Sequence, residues 1–332
     1  MEKWHIFKGN NDITTLPEPP KWRNFGNVED LNLDPKQLDK TWTKLQELSK
    51  TKLRDQERGK SFYIPENATE IINAINAALY LRRPLLVTGK PGSGKTSLAY
   101  AIAYQLKLGP VLTWPINTRS TLTSALYRYD ALARLRDTQQ QEDKDIGLYI
   151  QLGPVGTAFL PSRYPRVLLI DEIDKSDINL PNDLLNLFEE GEFAIPELVR
   201  LSNTTDTLTI QTQDDGIETA VKGGKIKCSA FPVVVMTSNG ERDFPPAFFR
   251  RCLRAQMPDP TEDALQEIVK IQLGQELFDK SQTEIENLIK QFSEGGNRAT
   301  DQLLNTVYLL TQGISVSKEE IQNLLFKELN QT

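Results

Sequence analysis

Histidine occurs once in this chain, as His5, and cysteine only twice, as Cys228 and Cys252. A single histidine in a polar leader leaves no basis for a His-ligated metal centre or a histidine general base. Two cysteines cannot make a disulfide framework, and their separation fits no zinc pattern, so both read as reduced packing thiols. No apolar run reaches the length of a signal peptide or a membrane span, and the expected location is the cytoplasm. A basic excess is missing as well. With a net charge of −6 and a pI near 5.2, no global field draws the chain to nucleic acid, and such binding is not expected. Catalysis must therefore come from carboxylates, Lys, Arg, hydroxyls and amides.

What is present is an ordinary globular composition, 39% hydrophobic and 25% charged over 332 residues, enough for one large domain and a smaller one. Residues 1–60 read as an extended arm, anchored by Trp4, Phe7, Trp22 and Phe25, followed by an amphipathic helix over 35–58. Asn67 and Glu70 resemble a capping box for a helix whose apolar face is Ile71, Ile72, Ile75, Ala78 and Leu79. Apolar runs at 85–89, 110–114, 166–171, 232–239 and 252–257 alternate with helical patterns, one of them over 96–108. Strands apolar on both faces predict a mostly parallel sheet covered by helices, an α/β domain over 61–260. Two segments interrupt the alternation, near 119–160 and 198–230. The second holds two β-leaning runs, TLTIQTQ and AVKGGKIKC, around Asp214-Asp215-Gly216 and reads as a hairpin. Beyond Pro258-Asp259-Pro260 the pattern is wholly helical, a lid over 261–332 whose last helix is expected at 317–329.

Gly89, Lys90, Pro91, Gly92, Ser93, Gly94, Lys95 and Thr96 form a G-x-x-x-x-G-K-[S/T] loop between a predicted strand and a predicted helix that Ser97 continues. Such glycines let backbone N–H groups curl around phosphate oxygens at a helix N-terminus. Lys95 is placed to reach the β- and γ-phosphates of ATP, and the Thr96 hydroxyl to bind Mg²⁺. LLIDE puts Asp171 and Glu172 at a strand end, the first suited to the Mg²⁺ shell and the second to activating water. Asn239 ends another core strand and is expected beside the same loop, where its amide can hold that water. Arg250 and Arg251 are candidates for an arginine supplied across an interface, and Arg298 for a lid contact to phosphate.

Together these residues resemble the MoxR branch of AAA+ ATPases over roughly residues 62–330. GKPGSGKT is similar to its Walker A motif, LLIDEID to Walker B, TSN to sensor one, FPPAFFRRC to the arginine-finger segment and GGNRA to sensor two. The two interruptions fall where family members carry their insertions. Two departures stand out: Arg250 and Cys252 flank Arg251 where the family has Asp and Phe, and no Ser-Pro precedes Arg298. The resemblance implies a P-loop NTPase sheet sandwiched by helices, followed by an all-α lid. It further implies a homo-oligomeric ring, most often a hexamer, a chaperone-like motor role, and von Willebrand factor A domain partners. By family position, the segment around Ile64 is where adenine contact is expected. Two other readings stay open: an ATP-gated interaction module with slow hydrolysis, and a nucleic-acid motor using Arg119, Arg128, Arg134 and Arg136, which the acidic pI disfavours.

Overall fold

The structure, a computed structural model, describes residues 4–9, 15–26, 34–65, 68–140, 144–202, 207–294 and 298–311. The Asp34 side chain caps α1 (Pro35–Thr51), and Pro35 pre-sets its first turn. Where one helix was expected over 35–58 there are two. Lys52 leaves helical geometry at φ −82° and ψ 67°, and α2 (Leu53–Lys60) restarts beyond it. Next, α3 (Thr69–Leu81) buries the apolar face read from its spacing. Of its expected capping box, Asn67 lies outside the described residues, and Ala68 gives no side-chain cap. After β1 (Leu85–Thr88), α4 (Lys95–Gln105) stops short of the expected 108, because Lys107 takes a left-handed φ of 51°. The break at Lys52 has a packing reason. A Cβ on Gly59 would stand 2.7 Å from the Tyr100 carbonyl oxygen, so α2 sits directly on α4, while α1 keeps Leu45 against Gly109.

β2 (Leu112–Pro115) precedes the first insertion: α5 (Leu122–Leu126), β3 (Tyr127–Tyr129), α6 (Ala131–Gln139), β4 (Ile150–Leu152) and α7 (Pro154–Ala158). Then come β5 (Val167–Asp171), α8 (Leu180–Glu190), β6 (Glu192–Ala194), α9 (Pro196–Val199), β7 (Thr207–Gln211), β8 (Glu218–Lys222) and β9 (Lys225–Lys227). β10 (Val233–Ser238), α10 (Pro246–Arg251) and β11 (Leu253–Gln256) complete the α/β part. The last described elements are α11 (Glu262–Leu273), α12 (Gln275–Lys280), α13 (Gln282–Glu294) and α14 (Thr300–Thr311), packed around Leu265, Val269, Ile289 and Leu303. The helix expected at 317–329 lies outside the described residues.

The main sheet runs β11-β1-β10-β5-β2, and every pair is parallel. Its side chains divide by the two-residue period of a strand. Leu85, Val87, Val167, Leu169 and Val235 join the core under α3 and α4, whereas Leu86, Leu168, Ile170, Val234 and Met236 join the core with α7 and α8. Both faces are covered, as the uninterrupted apolar runs required. Register brings the carboxyl ends level: Thr88 pairs with Ser238, Met236 with Ile170, and Asp171 with Pro115. A parallel sheet flanked by helices and followed by a helical region is the architecture expected from the sequence.

The two insertions meet in a second sheet, β3-β4-β7-β8, joined across them by the parallel pair Gln151–Gln211. The hairpin is present as β7 and β8, but the run AVKGGKIKC is not one strand. It turns at Gly223 and Gly224, both at positive φ, and β9 pairs with β6 instead. Contact of Gly224 with the Val199 backbone leaves no space for a Cβ, and this fixes the change of partner. The hairpin turn is bolted to the main sheet by a buried ion pair. Arg166, one residue before β5, donates to both Asp214 oxygens at 2.7 and 2.9 Å and to the Pro110 carbonyl at 3.0 Å.

The N-terminal segment is built into the body. Asn76 is fully buried in α3; its Oδ1 accepts the Ile6 and Phe7 amides at 2.6 and 2.8 Å, and its Nδ2 donates to the Phe7 carbonyl at 2.8 Å. His5, read as part of a polar leader, is 5% exposed, with Nε2 2.7 Å from Asn73 Oδ1. Further along, Phe25 stacks on Phe231 at 5.1 Å and Arg23 lies 4.5 Å over the same ring. Trp22 remains 78% exposed and has no ring partner among the described residues. Both cysteines are buried, and burial pushes each thiol up to about 12.

Removing one side of a buried ion pair strands the other charge, so Asp214→Ala is expected to cost about 3–5 kcal/mol in urea unfolding. A loss below about 1 kcal/mol would mean that Arg166 is solvated in the native state and that the pair does not hold the insertions to the sheet.

Candidate functional site

The site follows from the level carboxyl ends of β1, β5 and β10. Beyond β1 the loop 89–94 needs left-handed backbone at three glycines: Gly89 has φ 154°, Gly92 φ 75° and Gly94 φ 88°. Gly92 has no space for a side chain either, since a Cβ there would come 2.6 Å from Ala299 Cβ, just before α14. The loop is therefore pressed against the C-terminal helices, with Lys90 and Pro91 exposed at its tip and Lys90 Nζ 2.6 Å from Asp259. Lys95 opens α4 and folds back, its ammonium donating to the Gly89 and Lys90 carbonyls at 2.7 Å each. Burial lowers the Lys95 pKa, and the charges of Asp174, Asp171 and Glu172 oppose that shift. Ser93 Oγ is buried with no hydrogen-bond partner among the described residues.

Opposite the loop stands Asp171. Its Oδ1 accepts from the Thr96 hydroxyl at 3.0 Å and from the Thr237 hydroxyl at 2.6 Å. The Thr237 oxygen in turn accepts the Glu172 amide at 2.8 Å. Glu172 adopts φ 61° and ψ 49°, a left-handed conformation unusual for a residue with a side chain. One of its carboxylate oxygens lies 2.8 Å from Lys175 Nζ, and that bond raises the lysine pKa. Asp174, 5% exposed, accepts the Asn239 and Glu241 amides at 2.8 and 3.2 Å, pinning the turn after β10 to the segment after β5. The Asn239 side-chain amide is 3.4 Å from Glu241.

A cavity of about 350 Å³ opens beside the loop. Its apolar wall includes Phe62, Ile64, Met257, Ile268 and Leu304, with Ser97 of α4 also lining it. That volume suits a small organic group held on apolar walls and oriented by a few polar atoms. Joined to a glycine loop at the N-terminus of α4, a buried ammonium and a buried Ser93 hydroxyl with no partner among the described residues, the arrangement fits a phosphate ester carrying a flat base.

Thr96, Asp171 and Glu172 are thus joined in one hydrogen-bonded network through Thr237, with Lys95 directly before Thr96 and Asn239 bonded to Asp174 two residues after Glu172. Arg250 and Arg251 are not part of it. They precede β11, whose Leu253 is level with Leu85 at the amino end of β1, so the full strand, about 10 Å, separates them from the loop. Arg251 bonds Glu189 at 2.7 Å, and the Arg250 carbonyl accepts from Arg83 at 3.0 Å. Arg298 precedes α14 near Gly92, with Nη1 donating to the Gln291 carbonyl at 2.8 Å. Thr237, Asp174 and Lys175 were missed by sequence reasoning. The signal for Thr237 was its two-residue step from Val233 and Val235, which puts it on the α4 face, but only the register sets it beside Asp171.

Thr237→Val keeps the side-chain shape and removes the shared hydroxyl, leaving the Glu172 amide without a bonded acceptor. A stability loss of about 1–3 kcal/mol is expected in urea, with Thr237→Ser recovering most of it. An unchanged midpoint in Thr237→Val would rule out the hydroxyl as the joint between the Asp171 carboxylate and the Glu172 backbone.

Among solved structures, the chain is similar to NtrX from Brucella abortus in complex with ADP, at 14% identity and a TM-score of 0.44, covering 82% of this chain and 56% of that one. It is also similar to domain III of the replication initiation protein DnaA from Thermotoga maritima, at 17% identity and a TM-score of 0.40, covering 82% and 97%. No curated protein matches the chain. Residues 84–252, more than half of the chain, match the AAA domain family in its dynein-related subfamily. With the glycine loop, Lys95 and Asp171 in that span, the chain belongs to the AAA domain family, dynein-related subfamily, and is a nucleotide-binding protein of the AAA+ kind.

Proposed function

We propose that this chain is a Mg²⁺-dependent ATPase of the MoxR type, acting in the cytoplasm as a homo-oligomeric ring that remodels or assembles a protein partner. The observation that carries the reading is the junction of Thr96, Asp171 and Thr237, which ties the end of the glycine loop to the carboxylate pair. Lys95, already desolvated, exchanges its two carbonyl partners for β- and γ-phosphate oxygens. Thr96 and Asp171 would hold Mg²⁺, which would neutralise phosphate charge. Glu172 takes a proton from the attacking water, and Asn239 orients that water. Arg298 contacts phosphate from the lid side. Arg250 and Arg251, far from their own loop, suit a neighbour's site, and a von Willebrand factor A domain protein is the partner class the resemblance supplies.

One observation favours a second reading, a nucleotide-gated interaction module in which hydrolysis is a slow timer. One Glu172 carboxylate oxygen is already engaged by Lys175 at 2.8 Å, so an ion pair competes with the attacking water for the proposed base.

Glu172→Gln is expected to bind ATP as the parent does and to lose turnover by about 10²-fold or more in single-turnover assays. Normal turnover would remove Glu172 from its role. Lys175→Ala separates the two readings: a rate increase of several-fold supports the timer, and an unchanged or lower rate supports the motor.

A further inference from the structure

The cavity wall that faces the glycine loop comes from outside the matched family span. Arg54, Arg58, Phe62, Tyr63 and Ile64 line it, and all of them precede residue 84. What holds this wall is a segment still nearer the N-terminus. Ile64 is 4% exposed because Gly9 packs on it: a Cβ at Gly9, where φ is 69°, would clash with Ile64 Cγ2. Phe62 is backed by Phe7, with ring centroids 6.5 Å apart, and Phe7 is fully buried. Residues 5–9 are themselves clamped from two helices. Asn76 in α3 brackets Ile6 and Phe7, while Gln105, 1% exposed at the end of α4, accepts the Lys8 and Gly9 amides at 3.4 and 3.3 Å and donates to the Ile6 carbonyl at 3.2 Å. Two buried amides therefore satisfy the backbone of a strap that carries no regular secondary structure of its own.

We infer that the N-terminal strap, residues 5–9, is a component of the nucleotide site: it sets the position of Phe62 and Ile64 and so governs affinity for the base and ribose rather than for the phosphates. Asn76 and Gln105 are positioning residues for that wall. The inference rests on the cavity being the base pocket of the proposed ATP site. Its logic is spatial. Lys95 and the glycine loop are held directly by β1, the start of α4 and the C-terminal helices, and α4 bonds the strap at its opposite end through Gln105, whereas Phe62 and Ile64 have Phe7 and Gly9 at their backs.

The test compares two ligands on the full chain: Mg²⁺-ATP and inorganic tripolyphosphate, each titrated by calorimetry. Gly9→Val, whose side chain must displace Ile64, and Asn76→Asp, which replaces a donor to the Phe7 carbonyl with an acceptor, are the variants. Retention of the far-UV spectrum and a cooperative melt qualifies each, and Gly9→Val stands alone if Asn76→Asp does not fold. Expected is a loss of ATP affinity of about tenfold or more with tripolyphosphate affinity within about twofold of the parent. Unchanged ATP affinity in folded Gly9→Val, or an equal loss for both ligands, overturns the inference. Failure of the parent chain to bind ATP at all is a separate outcome and overturns the ATP reading on which it rests.

Discussion

Both acidic residues of the proposed site are referred to one hydroxyl. The Thr237 oxygen donates to Asp171 and accepts from the Glu172 amide, so a single buried atom on β10 sets the carboxylate at the end of β5 and the backbone of the residue after it. That accounts for how Glu172 sustains left-handed backbone, a conformation that ordinarily costs of order 1 kcal/mol or more and persists only where surroundings over-determine it. The same Asp171 oxygen takes the Thr96 hydroxyl, so the first turn of α4 is tied into the junction as well. Low local polarity strengthens such bonds and penalises leaving any of them unmade.

The remainder of the fold keeps three strand ends level around that junction. A parallel sheet buried on both faces has no freedom to slip, because a one-residue shift would exchange its two cores. The insertions do not disturb it. They form their own sheet and core, while α7 of the first insertion packs Val155 and Ala158 into the core on one face of the main sheet and Asp214 of the second bonds Arg166 at the amino end of β5. The N-terminal residues close the opposite gap, over α3 and α4, and the C-terminal helices press on Gly92 from beyond β11. The pocket is thus bounded by three parts of the chain widely separated in sequence.

Local chemistry made much of this legible. The strands at 85–89, 166–171 and 232–239 are runs with no polar face, which only a sheet covered on both sides tolerates. The glycine loop sat between such a strand and a helix. The hairpin announced itself through Asp214-Asp215-Gly216. What escaped depends on partners distant in sequence. Nothing near Lys52 marks the end of α1; the break answers to Gly59 meeting Tyr100. The separation of β9 from β8 answers to Val199. His5 looked like part of a polar leader because Asn73, its partner, lies 68 residues away. Thr237 looked like a strand residue, since its meaning lies in a register that no local pattern encodes.

In the proposed ATPase, arginines from another copy complete the site centred on Lys95, Asp171 and Glu172, because Arg250 and Arg251 lie at the far end of the sheet from their own glycine loop. Steady-state ATP hydrolysis across a wide range of protein concentration, with sizing in the presence of ATP at each point, tests it most directly. A site shared between copies requires specific activity that rises with concentration in step with assembly. A constant, substantial rate from a chain that stays monomeric throughout would contradict it.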